Sequence, residues 1–288
     1  MKNFTIAHSP DADDIFMYYA IKFGWISNKK YNLKNTAEDI ETLNQKALKN
    51  IYDITAISFG VYPFIKDEYA LLRTAVSFGY GYGPKLVKLK GKKLKPNFKV
   101  ALSGKYTTNA LIFKIAYPKA RIVYKNFLEI EDAVLNGEVD AGVLIHESIL
   151  TFDERLKVEK ELWDIWVELA GDIPLPLGGM AIRRSIPLLD AIELEEILTK
   201  AVDVANRHKY ILADMLLQRN LVRVDGNTLN KYLSLYANDK SIKLDEEQIN
   251  AINKLYEIGH KAGFLPQMKD IREYMIPKEY KNLRFNEK

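Results

Sequence analysis

Apolar positions along the chain recur with two alternating periods, and the changes of period outline its elements. A short apolar strand over Phe4–Ala7 leads through a polar loop into a helix at Asp11–Phe23, where Ile15, Phe16, Tyr19 and Ala20 recur at i, i+1, i+4 and i+5. The same reading gives strands at Tyr31–Leu33, Ile54–Ser58, Leu71–Ser77, Leu86–Leu89, Val100–Leu102, Ile122–Tyr124 and Ala141–Ile145. Helices fall between them at Ile40–Leu48, in a short turn ending at Ile65, and at Thr107–Tyr117 and Ile130–Asn136. Beyond Pro187 the pattern turns helical, over about 188–218, 227–237 and 245–262. Strands alternating with helices predict an α/β fold with largely parallel sheets.

The unit at about 99–145 reads as a βαβαβ lobe of its own. Two extended segments carrying Gly or Pro flank it, KLVKLKG before and LPLGGMAIRRS after, and both suit hinge-like crossovers. The expected organisation is a first, discontinuous lobe from residues 1–88 and 183–288 and a second lobe from 89–182. The cleft between such lobes is the expected ligand site.

Composition narrows the chemistry. The 288 residues are 48% hydrophobic and include no cysteine, which excludes disulfides, thiolate metal sites and a cysteine nucleophile. No apolar run approaches the roughly 18–20 residues that span a bilayer. The amino-terminal stretch MKNFTIAHSPDADDIF turns polar too early for a secretory h-region, so a cytoplasmic location is expected. The net charge of +4 is unevenly spread: 13 Lys/Arg and no acidic residue from Tyr69 to Leu128, then 13 Asp/Glu against three Lys/Arg from Glu129 to Asp172. In the basic stretch Lys85, Lys88, Lys90, Lys92 and Lys93 alternate with strand residues, and no nucleic-acid-binding motif accompanies them. They read as a solvated face whose field favours a small anionic substrate, with no nucleic-acid or membrane partner and a monomeric or weakly dimeric chain.

Ligands of open α/β sheets sit beyond the carboxyl ends of strands, so the polar residues there are the candidates. In HSPDADD, Ser9 and Pro10 suit the N-cap and first position of a helix, and Asp11, Asp13 and Asp14 crowd its first turn. Ser58 closes ITAIS, as a small turn residue or as a hydroxyl facing the cleft. Thr107 and Thr108 open a helix after Ser103-Gly104, as plain caps or as part of an anion site. FGYGYGPK leads into Pro84 and a strand rather than a helix, which rules out a dinucleotide fingerprint. His146, one of four histidines, follows the apolar run AGVLI and is either core filler or a proton-transfer group. Glu147 beside it suits a cap of the following helix or a partner for the imidazole. No histidine pair has metal-binding spacing and no G-x-S-x-G elbow is present.

In order along the chain, SPDADDIFMYYA, ETLNQKAL, DITAISFGVYPFI, GYGPKLV, TTNALIF, VDAGVLIHESILTF and LPLPLGGMAIRR resemble the 1,4-dihydroxy-6-naphthoate synthase family of the futalosine route to menaquinone. The resemblance covers most of residues 5–184, and IHE with PLPLGG is its most specific part. It implies a two-lobed, periplasmic-binding-protein-like (type 2) fold used as a cofactor-independent enzyme. It implies a lyase that fragments cyclic dehypoxanthine futalosine to 1,4-dihydroxy-6-naphthoate and dihydroxyacetone. On this resemblance His146 is the general base, and Asn44, Ser58, Thr107 and Thr108 contact substrate; Ser9, at the loop after the first strand, is a further expected contact. Many members read S-P-C-P-N-D-T where this chain has Asp13 for the asparagine and Ile15 for the threonine. Chorismate dehydratase of the same pathway, which shares the fold, and a non-catalytic solute-binding protein for a small anionic ligand are the alternatives.

Overall fold

The computed structural model describes residues 1–26, 28–222, 224–277 and 279, with the side chains of all of these except 13, 16 and 17. The expectations for Asp13 and for the Phe16 side chain therefore lie outside the described residues.

The chain opens with β1 (Lys2–His8), α1 (Ala12–Lys22), β2 (Tyr31–Ala37), α2 (Ile40–Ala47), β3 (Ile54–Ser58), α3 (Tyr62–Ile65), β4 (Tyr69–Leu71) and β5 (Ser77–Gly79). It continues with β6 (Lys85–Leu89), β7 (Lys99–Leu102), α4 (Thr108–Ala116), β8 (Arg121–Tyr124), α5 (Ile130–Leu135), β9 (Ala141–Leu144), β10 (Leu156–Glu161) and α6 (Leu162–Ala170). It closes with β11 (Leu175–Arg183), α7 (Leu188–Arg207), α8 (Lys209–Gln218), α9 (Gly226–Tyr236), α10 (Asp239–Ile242) and α11 (Glu246–Lys261).

Two sheets result, one per lobe. The first runs β2-β1-β3-β11-β4, with β5 also paired to β11; the second runs β10-β6-β9-β7-β8. The β1–β2, β1–β3, β7–β8 and β7–β9 pairs are parallel, while β11, β6 and β10 enter antiparallel. In β3 all five residues of ITAIS are buried, because the strand is paired on both edges and covered on both faces. Fully burying Ile54 and Ile57 there contributes about 1.5–3 kcal/mol each, so a carboxylate at either position would break the lobe.

Sheet membership moves the lobe boundaries expected from sequence. KLVKL is not a crossover: it is β6, paired with β9 and β10 in the second sheet. LPLGGMAIR is β11, inserted between β3 and β4 of the first sheet. Extended segments with this much apolar content need ladder partners, and each finds one in the lobe it enters. The crossings fall instead at 80–84, between β5 and β6, and at 171–174, between α6 and β11. The expected strand Leu71–Ser77 is two short strands, β4 and β5, separated by an irregular segment.

The lobes meet along a seam that demands glycine. A Cβ at Gly60 would lie 2.9 Å from the Tyr106 carbonyl oxygen, and one at Gly104 would lie 2.2 Å from a Glu41 carboxylate oxygen. Across this seam Glu41, on α2, accepts the Tyr106 N–H at 3.0 Å. The helix α11 packs against β11 of the first lobe and against α4 and α6 of the second. Among the described residues no helix is long and apolar enough to cross a membrane.

Candidate active site

Four strand ends and one helix of the carboxyl-terminal region surround a cavity of about 760 Å³, counting its open mouth. Ser9 and Asp14 line it after β1, Ser58 after β3, Thr107–Asn109 after β7, and Ile145 and His146 after β9. Leu177–Gly179 of β11 and Tyr232 and Tyr236 of α9 complete the wall.

His146 stands where the apolar run ends. β9 is buried throughout, and the chain then turns sharply: His146 has φ +56°, a left-handed conformation uncommon for a residue with a side chain. That turn aims the imidazole back across the seam. Its Nε2 lies 2.9 Å from Asp11 Oδ2 of the other lobe, and its ring meets Phe127 edge-on at 4.9 Å. Asp11 is completely buried and also accepts a short hydrogen bond from Ser9 Oγ.

The expected Ser9-Pro10 cap is not formed. Asp11 occupies the N-cap of α1, yet its side chain turns to His146 instead of capping. The orphan N–H of Ala12 is taken by Glu147 Oε1 at 2.9 Å, from the opposite lobe. Glu147 therefore caps neither the turn that follows it nor, through this oxygen, the imidazole; it caps a helix 135 residues earlier in the chain. Asp14 accepts the Ser9 N–H at 2.8 Å. Burial pushes its carboxyl above the usual range, against the opposing pull of His8 and of the Ser9 N–H. His8 itself is buried, stacked on Tyr18, with Nδ1 2.7 Å from the Ser9 carbonyl.

The other predicted residues divide into those that line the cavity and those that hold the lining in place. Asn44 is fully buried and clamps Ser58 from both sides, accepting its N–H at 2.9 Å and donating to its Oγ at 3.0 Å. Thr107 is the N-cap of α4: its Oγ accepts from Ala110 N–H and donates to the Gly104 carbonyl. Thr108 Oγ accepts from Gly60 N–H at 3.0 Å and donates to the Leu177 carbonyl at 2.7 Å, joining lobe to lobe. Both hydroxyls are thus engaged by the protein. The N–H groups of Thr108 and Asn109, the first two of α4, have no acceptor among the described residues, and both residues face the cavity. Asn109 is locked by Ser103 and Thr107.

Sequence reasoning missed Asp11 as a partner of His146, the role of Glu147, and the tyrosines of α9. The helix itself is legible at 227–237, but nothing in its period marks which tyrosines reach a cavity. Tyr232 and Tyr236 pack on each other at 4.8 Å, and Tyr82, within the first crossing, meets Tyr236 edge-on at 5.2 Å. Among the described residues no group of three or more His, Asp or Glu is placed to hold a metal ion.

Comparison with known proteins adds three findings. The sequence model of a family described as menaquinone biosynthesis matches residues 4–261. The 1,4-dihydroxy-6-naphthoate synthase of Thermus thermophilus is 27% identical over 263 residues, covering 91% of this chain and 96% of that protein. Among solved structures, protein AF1704 of Archaeoglobus fulgidus is 34% identical with a TM-score of 0.85, covering 91% of this chain and 98% of that one. The periplasmic aliphatic sulphonate binding protein SsuA of Escherichia coli, 11% identical with a TM-score of 0.67 over 97% of this chain and 99% of its own, shares the fold.

Proposed function

From the premise that the chain belongs to the menaquinone-biosynthesis family, we propose that it fragments cyclic dehypoxanthine futalosine into 1,4-dihydroxy-6-naphthoate and dihydroxyacetone. The carrying observation is the placement of His146 on the cavity wall at the carboxyl end of β9, on the same sheet edge as the amino end of α4, which follows the neighbouring parallel strand β7. A positioned imidazole transfers protons near neutral pH and is worth about 10²–10⁴-fold in rate.

In this reading His146 takes the proton of a ribose-derived hydroxyl. The adjacent C–C bond breaks as a carbonyl forms, and its electron pair passes into the ring system, whose aromatisation drives the step. The substrate carboxylate sits on the N–H groups of Thr108 and Asn109, where the helix dipole favours negative charge. Thr107 and Thr108 serve this site through the backbone, since their hydroxyls hold the loop and the seam. Ser58, fixed by Asn44, and Ser9 present polar groups to the substrate. Tyr232 and Tyr236 offer an aromatic wall to the planar bicyclic part. The seam contacts shut the cleft and keep water from the intermediates.

The test is turnover. Purified protein is given the cyclic substrate, and naphthoate is followed by chromatography, with chorismate offered separately. Naphthoate formation is expected with the cyclic substrate alone; turnover of chorismate alone would replace this reading with the dehydratase. His146→Asn suits the left-handed backbone and is expected to lose about 10²–10⁴-fold in kcat. A folded His146→Asn variant with wild-type turnover removes the base assignment.

A further inference from the structure

We propose that Asp14 is the general acid of the fragmentation: its carboxyl gives a proton to the ring oxygen that receives the electron pair of the breaking C–C bond, while His146 takes up the hydroxyl proton. This rests on the reading of His146 as the base and adds the acid that works with it from the other lobe.

Placement is the first support. Asp14 and His146 line one cavity, Asp14 from the first turn of α1 after β1 and His146 from the carboxyl end of β9. The strands β1 and β9 belong to different sheets, so the two groups come from different lobes. Asp14 also lines a second, smaller chamber that shares it and Ala75 with the main cavity. The wall of that chamber is mostly apolar, made by Ile6, Met180, Leu198 and Val202. The carboxyl thus stands between a ligand cavity and a set of side chains that cannot stabilise a charge, held in place by the Ser9 N–H at 2.8 Å.

The charged and titratable surroundings are the second support. From β1 Asp14 meets His8, and from its own helix Asp11 and Tyr18. His146 and, from α9, Tyr232 and Tyr236 share the main cavity with it. Ala75, Met180 of β11 and Leu198 and Val202 of α7 bring no charge. Burial favours the protonated carboxyl, and so does the completely buried Asp11 nearby; together they outweigh His8 and the Ser9 N–H. A carboxyl kept neutral by its setting is able to donate, as a general acid must.

The step balances. The hydroxyl proton passes to His146, the C–C bond breaks, and a carbonyl forms on the departing fragment. The electron pair passes through the ring to an oxygen, which takes the Asp14 proton and becomes one of the two ring hydroxyls of the product. Return of a proton from the imidazolium to the Asp14 carboxylate through solvent restores both groups.

The test is Asp14→Asn. Its amide still offers an acceptor to the Ser9 N–H and can donate a hydrogen bond, but it has no proton to transfer. It is expected to lower kcat by about 10²–10⁴-fold with KM within about threefold. The basic limb of the wild-type kcat profile, where the acid has lost its proton, is expected to be absent from the variant. An unchanged kcat overturns the proposal, and so does a lowered kcat with the basic limb intact. Infrared difference spectra of wild type against Asp14→Asn read the group without turnover. A protonated-carboxyl band is expected in the wild type alone, and it is expected to shift when 1,4-dihydroxy-6-naphthoate binds. No such band, or one that naphthoate leaves unmoved, overturns the proposal. A wild type that turns over no cyclic substrate brings down the functional reading and this assignment with it. Wild-type turnover with an unimpaired Asp14→Asn variant overturns the assignment alone.

Discussion

At the amino end of α1 the N–H of Ala12 is bonded to Glu147 from the other lobe, and a buried aspartate sits beside it. At the amino end of α4 the cap is a threonine of the same lobe, and the N–H groups of Thr108 and Asn109 are left facing the cavity. Both helices follow a strand end and both present positive partial charge to the cleft. One end is filled by the protein's own carboxylate and becomes a latch; in the proposed function it carries the base. The other meets no protein acceptor among the described residues, and in that proposal it seats the substrate carboxylate. The same backbone physics would then serve closure in one place and recognition in the other, and the difference lies in what the opposite lobe supplies.

The largest effect expected from erasing this difference comes from giving α4 a carboxylate of its own. Asn109→Asp is close to isosteric and keeps the acceptor toward Thr107. A like charge beside a bound carboxylate costs several kcal/mol, so KM should rise by about 100-fold or more. Steady-state kinetics and competition by naphthoate check it, with thermal melting to confirm the fold. An unchanged KM would move the carboxylate away from α4.

Next in size is Thr108→Val. If its hydroxyl belongs to the seam, removing it strands the buried Gly60 N–H and the Leu177 carbonyl and lowers stability by about 1–3 kcal/mol, whereas Thr108→Ser stays near wild type. Chemical denaturation separates the two. A Thr108→Val protein of full stability with a raised KM would return the hydroxyl to the substrate.

Glu147 comes third. Glu147→Ala leaves the Ala12 N–H without its acceptor and should cost about 1–2 kcal/mol, while Glu147→Gln keeps an acceptor and loses only the charge–dipole part, about 0.3–1 kcal/mol. Equal losses in the two would mean that charge, not the hydrogen bond, holds the latch.

The sequence made one half of this comparison visible and hid the other. Thr107-Thr108 before an apolar helix is a local signal, and so is an apolar strand running out at His146. Both depend on neighbours a few residues away. Glu147 on Ala12 and Asp11 on His146 each join residues 135 apart, and nothing local distinguishes such a carboxylate from a surface one. The same limit explains the lobe boundaries: the apolar content of KLVKL and LPLGGMAIR marks strands, but the sheet that takes each strand is a tertiary choice. It also explains Tyr232 and Tyr236, whose helix was legible and whose facing was not.

The smallest expected effect concerns Glu41, which latches the seam near α4 as Glu147 does near α1. Burial pushes the Glu41 carboxyl above its ordinary value of 4.5, opposed by the N–H of Tyr106 and by Gln45. A carboxyl raised on folding favours the folded state while protonated. Its contribution is therefore fully present below pH 4.5 and is lost as pH rises through the raised folded value. Glu41→Gln does not titrate and still offers an oxygen to the Tyr106 N–H. Relative to this variant, the wild type should lose stability as pH climbs from 4.5 toward neutrality, with the sign of that slope as the readout. Denaturation of both proteins across that range measures it. A wild type that gains on Glu41→Gln over the same range would mean that the seam favours the charged carboxylate, making Glu41 an anionic latch of the same kind as Glu147.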